Sequence, residues 1–302
     1  MRTAALLSTF MFLATSSLAV AEVKVMASIK PIHSLVAAVM QGVGTPRLIV
    51  GGNNSPHTYS LKPNDAEALQ QANAIFWVGP GLEAFLEKPL QSVAGNARVI
   101  SLIEAPGVQT LPVREGNGFD KDHDEGEIHE AGAADGHIWL DPENAKAMVQ
   151  AIAEELSKQD PTNAAAYSAN ATKEIVALDR LSREIADMVA PAKGKGFIVF
   201  HDAYHYFENR FGLRASGAIT IHPESTPGAR DIANIRQRIS DGKVTCVFAE
   251  PQFDNALIAA LIEGTTVKSA TLDPEGAPLE PGPDLYPTLL RAIARNLSNC
   301  LS

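Results

Sequence analysis

Short apolar runs alternate with amphipathic segments from residue 23 almost to the end of the chain. Apolar runs of four to eight residues bounded by turn formers read as strands, and apolar positions three and four apart read as helices. The pattern predicts strands over 23–29, 46–50, 74–78 and 97–102, with helices over 31–40, 62–71 and 83–93 between them. A second array repeats the rhythm with strands over 197–200, 214–220, 244–249 and 267–272. Its helices fall at 203–211, 228–240 and 255–263, and a last helix covers 285–301. Parallel strands need helical crossovers, so repeated βα units imply mainly parallel sheets. The expected fold is α/β, with two similar lobes of about four βα units each and no residue-level repeat.

The arrays are separated by two unlike stretches. After Leu111 the periodicity stops until His137, and the interval 112–136 is Gly-rich and charged. That is too long for an ordinary connection inside a compact domain. Helix returns over 142–158, and 162–189 carries a long helical pattern through Tyr167, Ile175, Leu178, Leu181, Ile185 and Met188. Such a helix extends about 42 Å. It is expected to be a rigid spine between the lobes, with a ligand cleft where they meet. The expected division is 22–160 for the first lobe, 161–191 for the linking helix and 192–302 for the second lobe.

The first 21 residues read as an address. Arg2 supplies the positive start, residues 4–13 the apolar core and Ala19-Val20-Ala21 a small-residue cleavage pattern. No later stretch approaches the ~18 unbroken apolar residues of a spanning helix. No cysteine follows the expected cleavage site, which argues against a lipid anchor and for a free periplasmic protein. Behind such a signal the even count of two cysteines, Cys246 and Cys300, favours a disulfide tying the last helix to its lobe. The net charge of −10 and the lack of any basic stripe argue against nucleic acid as a partner. The charge suits a cation, though many secreted proteins are equally acidic.

The candidate chemistry gathers on histidines. The stretch Ser55-Pro56-His57-Thr58-Tyr59-Ser60-Leu61-Lys62-Pro63 sets an imidazole between an apolar run and a helix start. α/β folds bind ligands there, outside the carboxyl ends of their strands. His137 and His201 are expected at comparable strand-to-helix junctions. Alone, each is more readily a hydrogen-bonded structural histidine. Three imidazoles from three strand ends, with a fourth oxygen ligand or water, make a familiar zinc set. Nitrogen-rich sites also suit zinc over manganese or magnesium.

Several motifs carry a resemblance. They are Ser28-Ile29-Lys30-Pro31, His57 through Pro63, Phe76-Trp77-Val78-Gly79-Pro80 and His137-Ile138-Trp139-Leu140-Asp141-Pro142. The second half adds Phe200-His201-Asp202-Ala203-Tyr204, the stretch from Cys246 to Phe253, and Thr271-Leu272-Asp273-Pro274. In these, and over essentially the whole chain after residue 21, the sequence resembles the ZnuA-type zinc-binding proteins of ABC transporters. The resemblance implies a high-affinity periplasmic receptor that captures Zn²⁺ and hands it to a membrane permease, acting as a monomer and not as an enzyme. It implies His57, His137 and His201 as metal ligands and a Cys246–Cys300 disulfide. Manganese-type relatives use a carboxylate at the position of His201, so an imidazole there points to zinc over a manganese or iron receptor.

One departure concerns the fourth ligand. Zinc members can carry an acidic residue just before the first histidine, where this chain has Pro56. The fourth position then falls to Asp273, which matches a ligand in other members, or to water. Asp273 otherwise caps the turn at Pro274. Glu250 is expected to support the site or the structure. The interval from Asp120 to Glu130 holds Asp120, Asp122, His123, Asp124, Glu125, Glu127 and His129. It reads either as a solvated charged insert or, by resemblance, as a loop that captures metal weakly.

A rival from another class is a zinc hydrolase. His201 and His205 stand four apart, as in helical zinc motifs, but Asp202 occupies the place of the usual glutamate. Glu250 and Asp202 are its only nearby candidates for a general base. His205 is expected to be a core or cleft-wall residue, and His33 and His222 receive no role.

Overall fold

The computed structural model describes residues 23–302 except 115, 117, 120–132, 222, 224–226 and 254–255. The expected export signal, His222 and the loop residues Asp120, Asp122, His123, Asp124, Glu125, Glu127 and His129 lie outside the described residues.

The first array contains β1 (Val25–Ile29), α1 (Lys30–Val39), β2 (Arg47–Val50), α2 (Pro63–Gln71), β3 (Ala74–Trp77), α3 (Ala84–Ser92) and β4 (Arg98–Ser101). α4 (Pro142–Gln159) and α5 (Ala164–Val189) follow. The second array runs β5 (Phe197–His201), α6 (His205–Phe211), β6 (Gly217–Thr220), α7 (Ala229–Ser240), β7 (Cys246–Ala249), α8 (Ala256–Ile262), β8 (Lys268–Thr271) and α9 (Leu285–Leu301). The expected strands and helices are all present, mostly trimmed by a residue or two at their ends.

The two sheets are parallel and share one topology, β2-β1-β3-β4 in the first and β6-β5-β7-β8 in the second. In each, the first strand sits inside and the chain reverses direction across it. The crevice outside the carboxyl ends of the two inner strands is therefore the place for a ligand. In the second sheet those ends carry His201, the last residue of β5, and Glu250, the residue after β7.

β5 shows how alternation builds two layers. Phe197 and Val199 join a large core, while Ile198 and Phe200 face a smaller cluster under α7 and α8. The large core does not stop at a lobe boundary. It runs from β1, β3 and α1 through α4 and α5 to β5 and α9. α5 buries Tyr167, Ala171, Leu178, Leu181, Ile185 and Val189 along one stripe. It packs on α4 and α1 of the first lobe and on α9 and α6 of the second.

Polar bonds lock the same seam. Trp139 Nε1 donates to the Pro274 carbonyl (2.8 Å), and Tyr286 Oη donates to the Trp139 carbonyl (2.7 Å). Lys30 Nζ donates to the carbonyls of Gly276, Ala277 and Leu279 at 2.6–3.1 Å. Asp141 accepts from Glu143 N at the start of α4 and also takes both forks of Arg210 from α6 at 2.7 Å. Arg114 grips Asp202 and Glu208 across the seam and stacks 3.8 Å over Phe119. An antiparallel bridge between Pro112 and Ala134 closes the base of the long interval.

The expected disulfide is present. Cys246 in β7 and Cys300 in α9 are joined across 54 residues with Cα atoms 6.0 Å apart. On the chain-entropy estimate a loop of that length contributes about 4 kcal/mol. Replacing both cysteines by alanine should therefore lower the denaturant midpoint without changing the fold. Chemical denaturation of the two forms, with far-UV dichroism as the fold control, checks this.

Candidate metal centre

The three histidines expected to act together do meet. One nitrogen from each of His57, His137 and His201 lies within 4.8 Å of the other two, the one such His, Cys, Asp and Glu grouping among the described residues. His57 comes from the loop after β2, and His201 ends β5. His137 departs from expectation. The apolar run after it is not a strand but a 3-10 turn, Ile138–Leu140, leading into α4. Three residues make too short a run to join a sheet, and Trp139 is drawn under the second lobe by its bond to Pro274. Gly136 allows the approach, because a Cβ there would stand 2.9 Å from the Leu82 Cβ.

What surrounds the rings fixes their protons. His137 Nδ1 lies 2.7 Å from Asp135 Oδ1, which also accepts from the His137 backbone N–H at 3.0 Å. His201 Nδ1 lies 2.7 Å from both oxygens of Glu250, a carboxylate 1% exposed. Carboxylates accept, so both rings carry their proton on Nδ1 and turn an Nε2 lone pair inward. Yet the Nε2 atoms of His137 and His201 are 3.3 Å apart, and those of His57 and His137 are 3.4 Å apart. Facing lone pairs at that distance repel unless a proton or a cation sits between them. The edge of a tetrahedron around zinc with Zn–N ~2.0–2.1 Å is about 3.3–3.4 Å. Both distances match an edge of such a tetrahedron.

His201 shows the tension between burial and charge. Burial is the largest single influence and pulls its proton affinity down, but the Glu250 carboxylate, joined by Asp202 and Asp135, holds the imidazole above its ordinary value. Glu250 thus supports the site, as expected. Asp135 was not foreseen; its signal was local, an acid two residues before a candidate ligand.

Asp273 is placed otherwise than a fourth ligand requires. Its Oδ1 accepts from Gln252 Nε2 and from the backbone N–H groups of Glu275 and Gly276, and its Oδ2 accepts from Ala277 N. It stands outside the three-histidine grouping. His205 opens α6 whereas His201 closes β5, so the two share no helical face. The hydrolase reading fails at its base as well, since Asp202 is bound to Arg114 and Glu250 to His201. His33 is a buried structural residue whose Nε2 lies 3.0 Å from the Pro46 carbonyl.

The comparisons agree with this geometry. The family model ZnuA, "Zinc-uptake complex component A periplasmic", matches residues 25–300. The chain belongs to the ZnuA family. The ZnuA zinc-uptake protein of Brucella suis is 47% identical, with 95% of this chain and 94% of the relative aligned. That of Yersinia pestis is 38% identical over 93% and 92%. A ZnuA crystal structure superposes with a TM-score of 0.78 at 28% identity, covering 93% of this chain and 99% of that one. The periplasmic zinc-binding protein TroA of Treponema pallidum shares the two-lobed fold, with a TM-score of 0.80 at 22% identity, covering 93% and 99%. ZnuA proteins are the periplasmic zinc-binding part of an uptake complex, not enzymes.

The Glu250 contact yields a prediction for the metal-free protein. Glu250→Gln leaves His201 buried but removes the carboxylate's attraction, so its titration should fall from above the ordinary imidazole value to below it. ¹⁵N-resolved NMR titration of the imidazoles in the two proteins reads the shift.

Proposed function

We propose that His57, His137 and His201 hold Zn²⁺ through Nε2 between the two lobes, and that the protein delivers the ion to the membrane permease of a zinc ABC transporter. The observation that carries this reading is the convergence of three ring nitrogens within 4.8 Å, His137 Nε2 lying 3.3 Å from His201 Nε2 and 3.4 Å from His57 Nε2, with the His137 and His201 rings anchored by carboxylates on Nδ1. Carboxylate-anchored imidazoles are the usual support of zinc ligands, fixing ring orientation and raising basicity. The ion is cargo and undergoes no chemistry. Residues 1–21 serve as the cleaved export signal, and the protein works as a monomer with lobes over 22–160 and 192–302 joined by 161–191. No described helix is long and apolar enough to cross a membrane. Three nitrogens favour zinc over manganese.

Zinc titration of the metal-free protein beside His57→Ala, His137→Ala and His201→Ala tests the site. One tight equivalent should bind, and each substitution should weaken it by orders of magnitude. Tight binding retained in the triple variant would place the site elsewhere. Proton competition gives an independent check. A raised proton affinity at His201 means protons begin to compete with zinc above the imidazole reference of ~6.5. Affinity should therefore be steady at pH 8, decline on approaching neutrality and fall steeply below it; an affinity constant from pH 5 to 8 would contradict the assignment.

The acidic interval supplies weak auxiliary capture at Asp120, Asp122, His123, Asp124, Glu125, Glu127 and His129. Six carboxylates against two histidines between Asp120 and Glu130 make that capture poorly selective. Deleting residues 119–131 should remove weak equivalents from a calorimetric titration and leave the tight one; an unaltered stoichiometry would sink the idea.

A further inference from the structure

The zinc reading makes no use of a groove of about 930 Å³ at the other end of the second sheet. It is lined by residues just before β5, β6 and β7, whereas His201 closes β5 at the opposite, carboxyl end. Lys195, Arg214, Arg238 and Lys243 line it against one acid, Asp241. Four cations to one acid reverses the balance of a chain whose net charge is −10. The four are spread along the sequence and form no basic stripe; the fold gathers them. Gly196 makes the closest approach, because a Cβ there would stand 1.8 Å from the Lys243 carbonyl oxygen. Bare backbone at Gly196 thus lets the segments carrying Lys195 and Lys243 lie side by side, tied by the Thr245 N–H to the Gly196 carbonyl at 2.8 Å.

Groups inside the protein satisfy only part of this charge. Asp241 accepts from Gln237 Nε2 at 2.8 Å, and Arg238 donates to the Ser216 carbonyl at 3.2 Å. The exposed Lys195 and Lys243 ammonium groups have no hydrogen-bond or ion-pair partner among the described residues. Helix C-termini attract cations, and α6 and α7 both end beside the groove. That attraction places a cation near each helix end, yet it leaves two ammonium groups without an acceptor and like charges gathered around one hollow. An anion of two or more charges answers both conditions. We propose that the groove binds a phosphate-bearing anion of that kind, held by the Lys195 and Lys243 ammonium groups within the positive field of Arg214 and Arg238. Lysine suits the task as a point-charge phosphate ligand. The site lies at the far end of the sheet from His201, so anion and metal are bound independently.

Tripolyphosphate titrated calorimetrically into the metal-free protein is the first probe. One equivalent should bind, with an affinity that falls as salt is raised. Lys195→Gln with Lys243→Gln should weaken it about tenfold, the scale of two exposed charge pairs acting together. Lys195→Arg with Lys243→Arg should keep it. Lys88→Gln with Lys158→Gln removes the same charge from exposed positions on α3 and α4 and should change nothing. Far-UV dichroism controls the fold of every variant. Co-sedimentation with vesicles of phosphatidylglycerol in phosphatidylcholine, against phosphatidylcholine alone, then assigns the source. Anionic-vesicle binding that the Lys195–Lys243 glutamine pair abolishes identifies a lipid headgroup; tripolyphosphate binding without vesicle binding identifies a soluble phosphate. Binding of neither probe, an unchanged affinity in that pair, or equal weakening by the Lys88–Lys158 pair would overturn the proposal. So would anion binding that appears only once residues 120–131 are deleted, which would give the groove to the chain's own acids.

Discussion

One ring nitrogen from each of three histidines lies within 4.8 Å of the other two, His137 Nε2 standing 3.3 Å from His201 Nε2 and 3.4 Å from His57 Nε2, and the rest of the molecule is arranged to hold them there. No short peptide could hold such a set, because the three rings repel and would swing into water. Here each ring comes from a different segment, and two are tethered at the far nitrogen by Asp135 and Glu250. The tethers fix the tautomer and aim the ring, so the repulsion is borne by the fold. Because His57 and His137 belong to the first half and His201 to the second, the grouping depends on the relative position of the halves. The unbroken hydrophobic core through α5, with Trp139, Tyr286, Lys30 and Arg210 bonded across the seam, fixes that position. A stiff body built to hold rings that repel one another is a body built to bind a cation.

The arrangement has a thermodynamic consequence. Burial pushes the Glu83 carboxyl up to about 7 even though the N–H groups of Val78 and Gly79 donate to it. Glu275 is pushed well above the usual carboxylate range by burial and by neighbouring acids. Buried acids and crowded imidazoles subtract from stability in the absence of a cation, while the disulfide and the shared core add to it. A cation that binds only the folded chain stabilises it by linkage, in proportion to how far its concentration exceeds the dissociation constant.

Much of this was legible in the sequence, for a definable reason. Period-two and period-3.6 patterning gave every strand and helix of both arrays, because each βα unit buries one face of a local segment. His57 and His201 were placed rightly because loop-after-strand and strand-end positions follow from that pattern. His137 was the exception: Ile138-Trp139-Leu140 is apolar like a strand but is a 3-10 turn. Its burial comes from Pro274 and Tyr286, more than 130 residues away, which no local window contains. The Arg114 grip on Asp202 and Glu208 was invisible for the same cause, as was the fate of Asp273. Its motif suggests a ligand, while the turn that follows it consumes the carboxylate. Asp135 lay at the end of the Gly-rich, charged interval 112–136, where no periodicity places a side chain.

The three rings are not equivalent, and the difference bears on how an ion enters and leaves. His137 and His201 are buried and anchored by carboxylates, whereas His57 is partly exposed on the loop between β2 and α2. Asn53 of the same loop donates to the Pro251 carbonyl of the second lobe at 2.7 Å, one polar bond against the many that lock the seam beneath. A continuous core resists wide hinge opening, since parting the lobes would expose α5 and α9 to water. Lifting one loop exposes far less apolar surface. Among the described residues, the open side of the three-histidine grouping is therefore the side of His57.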